Sequence, residues 1–430
     1  MARTYEELDW LIAQQHPMTE LLKGWAGINT GTFNPTGLEA LAGLVVDEFR
    51  PLTETIRIVH PDPVEMVDSL GRVIPRPLGA NIHAVQRPDA PVQVLLAIHM
   101  DTVYDVDSAF QTVEQLDDQT LRGPGVADAK GGLVVMLYAL KALERFVERT
   151  GNRQIGWQVI VNSDEEISSP GSLGLFTEAA SQVQLGLLFE PSLPDGSLVS
   201  SRKGSGNFSI IGQGRSAHAG RDFHHGINAI VAAADVSTQL HRLTGSWEGM
   251  TLNVARIDGG ATNNVVPATS IIRLNIRYTE REHEEPIRQA IQEILDTVSA
   301  QSGVQFELHG SFASPPKQLT VGTESMLHQF KSCGEELGLD LSWAPAGGAC
   351  DGNRLAALGV PNVDTLGVRG GNIHSHDEFM WIDSLPERAA LTALYLMQLA
   401  EGVIHPPTAA PRQASSAPSN EETATAKTGL

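Results

Sequence analysis

The sequence predicts an α/β protein, a mostly parallel sheet interrupted by an inserted α+β block, and three observations lead there. Nearly continuous apolar runs ("PVQVLLAIH", "IGWQVIV", "LGLLF") alternate with stretches of helical periodicity, the pattern of strands buried on both faces. Near residue 204 the runs change to in–out alternation, as in "GNFSIIGQ" and "TSIIRLNIRYT", which suits antiparallel strands with one covered face. From about residue 315 the first character returns.

The elements follow in order. Residues 5–26 and 36–50 read as amphipathic helices, then a Pro-rich strand region leads into the strand "PVQVLLAIHMD". "GGLVVMLYALKALERFVERTG" is a helix with Gly151 just past its end. "IGWQVIVNSDEE" is the next strand, "SPGSLGLFTEAASQ" a helix and "LGLLFEPS" another buried strand. Between residues 204 and 313 four alternating strands and helices near 225–243 and 283–302 give the order β-α-β-β-α-β. Helix 322–338, strand "PNVDTLGV" and helix 384–403 complete the first unit. Residues 1–203 and 314–405 therefore form one α/β domain, with 204–313 inserted as a lid or dimerisation domain. The tail 406–430, rich in Ala, Ser, Thr and Pro, is expected to be disordered.

Composition narrows the chemistry. Fifty-one acids against 30 bases give a net charge of −21, which argues against nucleic acid or an anionic membrane as partner. The start, "MARTYEELDWLIAQQH", lacks the unbroken apolar stretch of a signal peptide, and no run is long enough to span a membrane, so a cytoplasmic location is expected. Only Cys333 and Cys350 occur, so a metal site must draw on His, Asp and Glu, a set suited to hard or borderline divalent cations.

"VNSDEEISSPGS" puts Asp164, Glu165 and Glu166 directly after a buried strand. Neighbouring residues of a strand face opposite ways, so two acids serving one site must lie in the turn just beyond it. Other polar residues converge on the same edge. His99 and Asp101 end the first strand, Asp128 precedes a helix in "GVADAKGG", Glu190 ends the third strand and His374 follows the last in "GGNIHSHDEF". Ligands of open α/β sheets bind beyond the carboxyl ends of the strands. Two divalent ions, each wanting about four ligands with room for water, are satisfied if Asp128 bridges them. His99 and Glu190 would complete one, Glu166 and His374 the other. Asp101 is placed to accept the second N–H of His99. Glu165 is then left beside the metals to move protons.

Other residues read as structural. His376 is the rival of His374 in the same loop, whereas His224, His225, His241 and His309 read as surface or loop residues. Asp164 is a turn residue, Gly131–Gly132 and Gly370–Gly371 are tight turns and no phosphate cradle, and Cys350 is a small buried residue with no activating partner.

"HMDTV", "GVADAKGG", "SDEE", "FEP", "GRSAHAG", "NNVVP", "DGNRLAALGVP" and "HSHDEF" occur in this order. The set resembles the co-catalytic zinc peptidase family of aminoacylases, carboxypeptidase G and succinyl-diaminopimelate desuccinylase, over roughly residues 20–405. The chain looks most like the carboxypeptidase G branch, and Glu in "FEP" resembles the carboxypeptidases and deacylases of the family. The resemblance implies two divalent ions, zinc or else manganese or cobalt, held by His99, Asp128, Glu166, Glu190 and His374. It implies Glu165 as general base and a cis peptide bond at Asp128–Ala129. His218 matches a residue that reaches a neighbouring subunit's site to stabilise the oxyanion, which implies a homodimer or higher even oligomer. Asn264 and Arg277 match positions that contact the small-molecule substrate, and the spacing from His374 to Glu378 keeps the family pattern. One departure stands out: many carboxypeptidase G relatives carry Arg-Pro-Pro where this chain has "SPP", with Ser314 in the place of the Arg that clamps the substrate carboxylate. Lys317 or Arg202 could take its place, or the substrate lacks the usual C-terminal carboxylate.

These readings predict a metallohydrolase that cleaves the C–N bond of an N-acyl amino acid or small peptide. The alternative substrates are aryl amines or N-carbamoyl compounds. A catalytically dead scaffold is disfavoured because every ligand and the base are present, and a phosphoesterase because no basic phosphate clamp is.

Overall fold

A computed structural model describes residues 5–407. The expected disordered tail lies, from residue 408 onward, outside them. In chain order the elements that position the site are β1 (Thr55–Val59), β2 (Asn81–Gln86), β3 (Val92–His99), α1 (Lys130–Thr150), β4 (Ile155–Asn162) and β5 (Leu185–Leu188). There follow β6 (Gly204–Gln213), α2 (Ala229–His241), β7 (Thr251–Gly259), β8 (Thr269–Tyr278), α3 (Glu284–Ser302), β9 (Gln305–Ser314), β10 (Asn362–Val363) and α4 (Ser384–Ala400).

The central sheet has the order β1-β2-β4-β3-β5-β10. Strands β4, β3, β5 and β10 are parallel, while β2 runs antiparallel to both its neighbours, so the sheet is mixed with its parallel part at the site. Every residue of β4 is buried, which explains its unbroken apolar sequence. Helix α1 ends at Gly151 in the left-handed conformation (φ 71°), the cap its position suggested. It packs against the almost wholly buried α4.

Gly131 and Gly132 lie in the first turn of α1 and not in a tight turn. A Cβ at Gly132 would stand 1.9 Å from the Phe189 carbonyl oxygen, so glycine lets the helix approach the strand that delivers Glu190. Gly370 and Gly371 form a short strand paired with Phe379 and Met380. "PNVDTLGV" keeps only two strand residues, because Asp364 and Thr365 turn their side chains to Arg202 and the Val199 N–H. A helix not foreseen, Asp351–Ala357, follows Cys350, whose Sγ accepts the Gly352 N–H.

The second sheet is antiparallel, in the order β7-β8-β6-β9. Helices α2 and α3 cover one face, and Phe208, Ile210, Val236, Ile272, Ile291 and Leu295 give this unit a hydrophobic cluster of its own. On the other face lies the hairpin Val64–Val67/Val73–Arg76. Arg273 donates to the Val67 carbonyl at 3.0 Å, and a Cβ at Gly71 would lie 3.2 Å from Ile211. Among the described residues no helix is long and apolar enough to cross a membrane.

Candidate metal centre and active site

The parallel register pairs His99 with Asn162, so β3 and β4 end level. Beyond them Glu165–Ile167 forms one 3-10 turn, which brings two acids adjacent in sequence to one site. Asp164 holds that turn: its carboxylate accepts from Ser172 Oγ at 2.7 Å and from the Gly171 N–H, and its carbonyl from Ser169. Left-handed backbone at non-glycine residues costs about 1–3 kcal/mol. It concentrates here, at Ser168, Ser169, Asn372 and His374. The Asp128–Ala129 bond is cis.

Five side chains converge. His99 Nε2 lies 3.1 Å from Asp128 Oδ1 and 3.7 Å from Glu190 Oε2. His374 Nε2 lies 3.2 Å from Asp128 Oδ2 and 3.3 Å from Glu166 Oε2. Asp128 thus sits between two His–Glu pairs, one carboxylate oxygen toward each. Donor atoms of His99, Asp128 and Glu166 all fall within 4.8 Å of one another. His376 has no place in this group and stacks on Phe110.

Asp101, fully buried, ties the halves together. Its carboxylate accepts the backbone N–H of Glu165 (3.1 Å) and of Glu166 (3.3 Å) and the Thr32 hydroxyl (2.7 Å). His99 Nδ1 is 3.0 Å from the Asp101 carbonyl oxygen and 3.3 Å from its carboxylate, so the expected ring contact involves main chain and side chain together. Glu378 holds the opposite loop. Its carboxylate accepts the N–H groups of Gly125, Ala127 and Asp128 and the Tyr104 hydroxyl.

The electrostatics suit cations. Burial pushes Glu166 up to about 7 against the bond from His374, and burial together with the charge of Glu190 holds Glu165 well above the carboxylate range. Burial disfavours charge on His99, but Glu190, Asp101 and Asp128 outweigh it and raise the ring's pKa. Hydrogen bonds to Asp128 and Glu166 push His374 up to about 11. Carboxylates that resist ionising beside imidazoles that hold protons mark a buried, acid-rich group in need of positive charge. Glu166 Oε1 is buried without a hydrogen-bond partner, an acceptor left open to a cation. The residues fit two divalent ions.

The cleft beside them, ≈ 560 Å³, has room for a small acylated amino acid. Glu165, Glu190 and His374 open onto it, and so does Arg277. His218 and Asn264 do not: both are exposed on the second unit, where the N–H of Ala219, next to His218, donates to the Asn264 carbonyl oxygen. Lys317 cannot reach the cleft, being fully buried with Nζ 2.7 Å from Asp364 Oδ2. Arg202 lines it while gripping the same carboxylate through Nε and Nη2, both at 2.9 Å. Ser314 lines the cleft too. Burial drives the Cys350 thiol well up, which suits a packed residue and no nucleophile. Asn207 and Asn275, absent from the sequence reading, complete the wall. Asn275 was within reach, since it shares a strand face with Arg277 two residues on.

Comparison with known proteins adds an independent line. The model of peptidase family M20/M25/M40 matches residues 95–398. Carboxypeptidase G2 of Pseudomonas sp. (strain RS-16) is 26% identical over 396 residues, 90% of this chain and 91% of that protein. A succinyl-diaminopimelate desuccinylase of Psychrobacter sp. (strain PRwf-1) is 28% identical over 302 residues, 67% and 73% of the two chains. The YXEP protein of Bacillus subtilis, described as a dinuclear metal-binding peptidase, superposes with a TM-score of 0.59 at 15% identity, covering 90% of this chain and 99% of its own.

Proposed function

The chain belongs to peptidase family M20/M25/M40 and is a hydrolase of C–N bonds, and from that premise we propose that it cleaves the amide of an N-acyl amino acid or small peptide in the manner of carboxypeptidase G. The observation that carries this reading is Asp128, whose two oxygens each face one His–Glu pair at 3.1 and 3.2 Å. His99 and Glu190 would hold one divalent ion, Glu166 and His374 the other, with Asp128 shared. Zinc is the ion we assign, with manganese or cobalt as substitutes. Such ions supply Lewis-acid polarisation of the scissile carbonyl and a more acidic water.

The chain's own groups do the rest. Glu165 makes no side-chain hydrogen bond among the described residues and opens onto the cleft, free to take a proton from the attacking water and return it to the leaving amine. Asp101 fixes the backbone of both glutamates, which keeps base and ligand in register. Arg202 replaces the missing clamp arginine. With Lys317 it shares the single carboxylate of Asp364, so the group keeps one positive charge at the cleft wall for a substrate carboxylate. This favours acids over the aryl amines or N-carbamoyl compounds considered above.

His218 and Asn264 are exposed and do not line the chain's own cleft, and we assign them to the cleft of a second copy in a homodimer, His218 donating to the developing oxyanion. The free, buried cysteines suit a reducing compartment such as the cytoplasm. The test is a screen of metal-reconstituted protein against N-acyl amino acids, dipeptides and substituted aryl amines. Amine release from acylated amino acids, abolished by chelation, is the expected result; activity that survives exhaustive chelation ends the proposal.

A further inference from the structure

We propose that the hairpin Val64–Val67/Val73–Arg76 braces the second sheet against the turn of Glu165 and Glu166, with Arg273 its positioning residue, and so sets the spacing across the cleft. The brace would serve whichever amide the cleft takes. On β6 and β8 an unbroken register pairs Ile211 with Ile271, Ser209 with Arg273, Asn207 with Asn275 and Ser205 with Arg277. The two-residue period of the strands puts all of these on one face. One end of that ladder is cleft wall, where Ser205, Asn207, Asn275 and Arg277 stand. The hairpin holds the other end.

Ile211 and Ile271 are buried, yet they face away from the helices that cover Ile210 and Ile272. The hairpin tip covers them: a Cβ at Gly71 would lie 3.2 Å from Ile211, 3.3 Å from Thr269 and 3.6 Å from Ile271. Beside it Arg273 Nη2 donates to the Val67 carbonyl at 3.0 Å, while Nη1 pairs with Asp258. The tip is held in shape by Asp68, whose carboxylate accepts the N–H groups of Leu70 and Arg72 and the Arg72 Nε, at 2.7–2.9 Å.

A two-stranded hairpin is at best marginal alone. This one is partly exposed along both strands, so its order comes from its ends. At the root Pro61 and Leu78 close on Gly171, where a Cβ would stand 2.8 Å and 2.7 Å from them and 3.1 Å from Asp164 Oδ2. The Gly171 N–H donates to that same carboxylate, which holds the turn of Glu165 and Glu166. Arg76 lies over the Phe33 ring at 4.6 Å, next to Thr32, which donates to Asp101. The hairpin therefore touches the glutamate turn at one end and grips the strands of the cleft wall at the other. A substrate must contact both sides at once. Freeing the sheet lowers the fraction of protein whose cleft is ready to bind, and the apparent affinity falls by that fraction.

The experiment measures the spacing itself, with spin labels at Glu39→Cys and Gln292→Cys, exposed sites on the two units. Unlabelled protein is added in excess so that only distances within one chain are read. Metal content, KM and kcat for an N-acyl amino acid are measured alongside. Wild type should give one narrow distance distribution. Arg273→Ala should broaden it and raise KM about tenfold, the value of one charge-assisted hydrogen bond, with kcat and metal content held. Arg256→Ala removes the other partner of Asp258 but leaves the bond to Val67, and should match wild type. Gly71→Asn keeps the left-handed backbone while wedging the tip from Ile211, so it should reproduce Arg273→Ala. It carries the test alone should Arg273→Ala fail to fold by its melting curve. A broad distribution already in wild type, a wild-type distribution in Arg273→Ala, or an equal broadening in Arg256→Ala overturns the proposal. Broadening with KM unchanged makes the hairpin a structural element only and overturns its part in the reaction. If wild type hydrolyses no amide, the amidohydrolase reading falls, and the distance distributions decide the brace by themselves.

Discussion

Replacing Asp101 with Asn changes one atom at the point where the two halves of the site meet. The carboxylate accepts Glu165 N–H on Oδ1 and both Glu166 N–H and the Thr32 hydroxyl on Oδ2, with His99 Nδ1 3.3 Å from Oδ1. An amide can keep only one acceptor. The Thr32 hydroxyl can reverse and accept, whereas a backbone N–H cannot, so the amide oxygen will stay on Glu165 and His99. Glu166 N–H is then left facing Nδ2, a buried donor against a donor, which costs about 1–3 kcal/mol. The damage falls on the turn that carries one metal ligand, so the ion on Glu166 and His374 should weaken by about 10–100-fold while the ion on His99 and Glu190 is held. Dialysis against graded chelator, followed by metal analysis, reads the two ions separately. Turnover should fall with occupancy and recover at high metal concentration. Retention of both ions at wild-type affinity would refute the account of Asp101 as the link. Loss of the His99 ion first would reverse the assigned orientation of the amide.

Glu165→Gln should lose about 10²–10⁴-fold in kcat with metal content intact, because the residue is assigned as base and not ligand; metal loss in this variant alone would exchange its role with Glu166. Mixing inactive Glu165→Ala with inactive His218→Ala tests delivery across a dimer: random exchange should restore about a quarter of wild-type activity, one repaired site in half the dimers. Exchange confirmed by native mass measurement with no recovered activity would place His218 in its own subunit's chemistry or in none. Lys317→Met should raise KM for acids without changing KM for amides. An ammonium about 8 Å from a carboxylate held by Arg202 contributes about 2 kcal/mol at an effective dielectric near 20, roughly 30-fold in KM. An unchanged KM for acids in a protein that melts normally would remove Arg202 as the anchor.

The parts of the fold that were legible are those whose burial is written into the period of the sequence. Strand β4 is covered on both faces and reads as an unbroken apolar run, while β8 is covered more on one face and alternates. The helix Asp351–Ala357 escaped because it is short and begins Asp-Gly-Asn, a turn-like sequence that its cap and burial convert to helix. The five side chains that meet around Asp128 were legible as a group because each stands next to a strand end or helix start. Glu378 was visible only as a spacing, since its partners are main-chain N–H groups of a loop 250 or more residues away. Lys317 beside two prolines looked available, and nothing local announces that Asp364 claims it.

The adjacent acids Glu165 and Glu166 illustrate how much turns on where a strand stops. Continued as a strand, β4 would send one of the two into the sheet's other face, and a single site could use only one. The strand instead ends at Asn162, and Glu165–Ile167 winds as a 3-10 turn, in which successive side chains diverge by about 120°. Glu166 swings to His374 at 3.3 Å, while Glu165 comes under the charges of Glu190, His99 and Arg277. Asp101 anchors both N–H groups and so fixes the angle between them. The two side chains are therefore separated by backbone geometry and not by residue type, and an exchange of their places would require the turn itself to rewind.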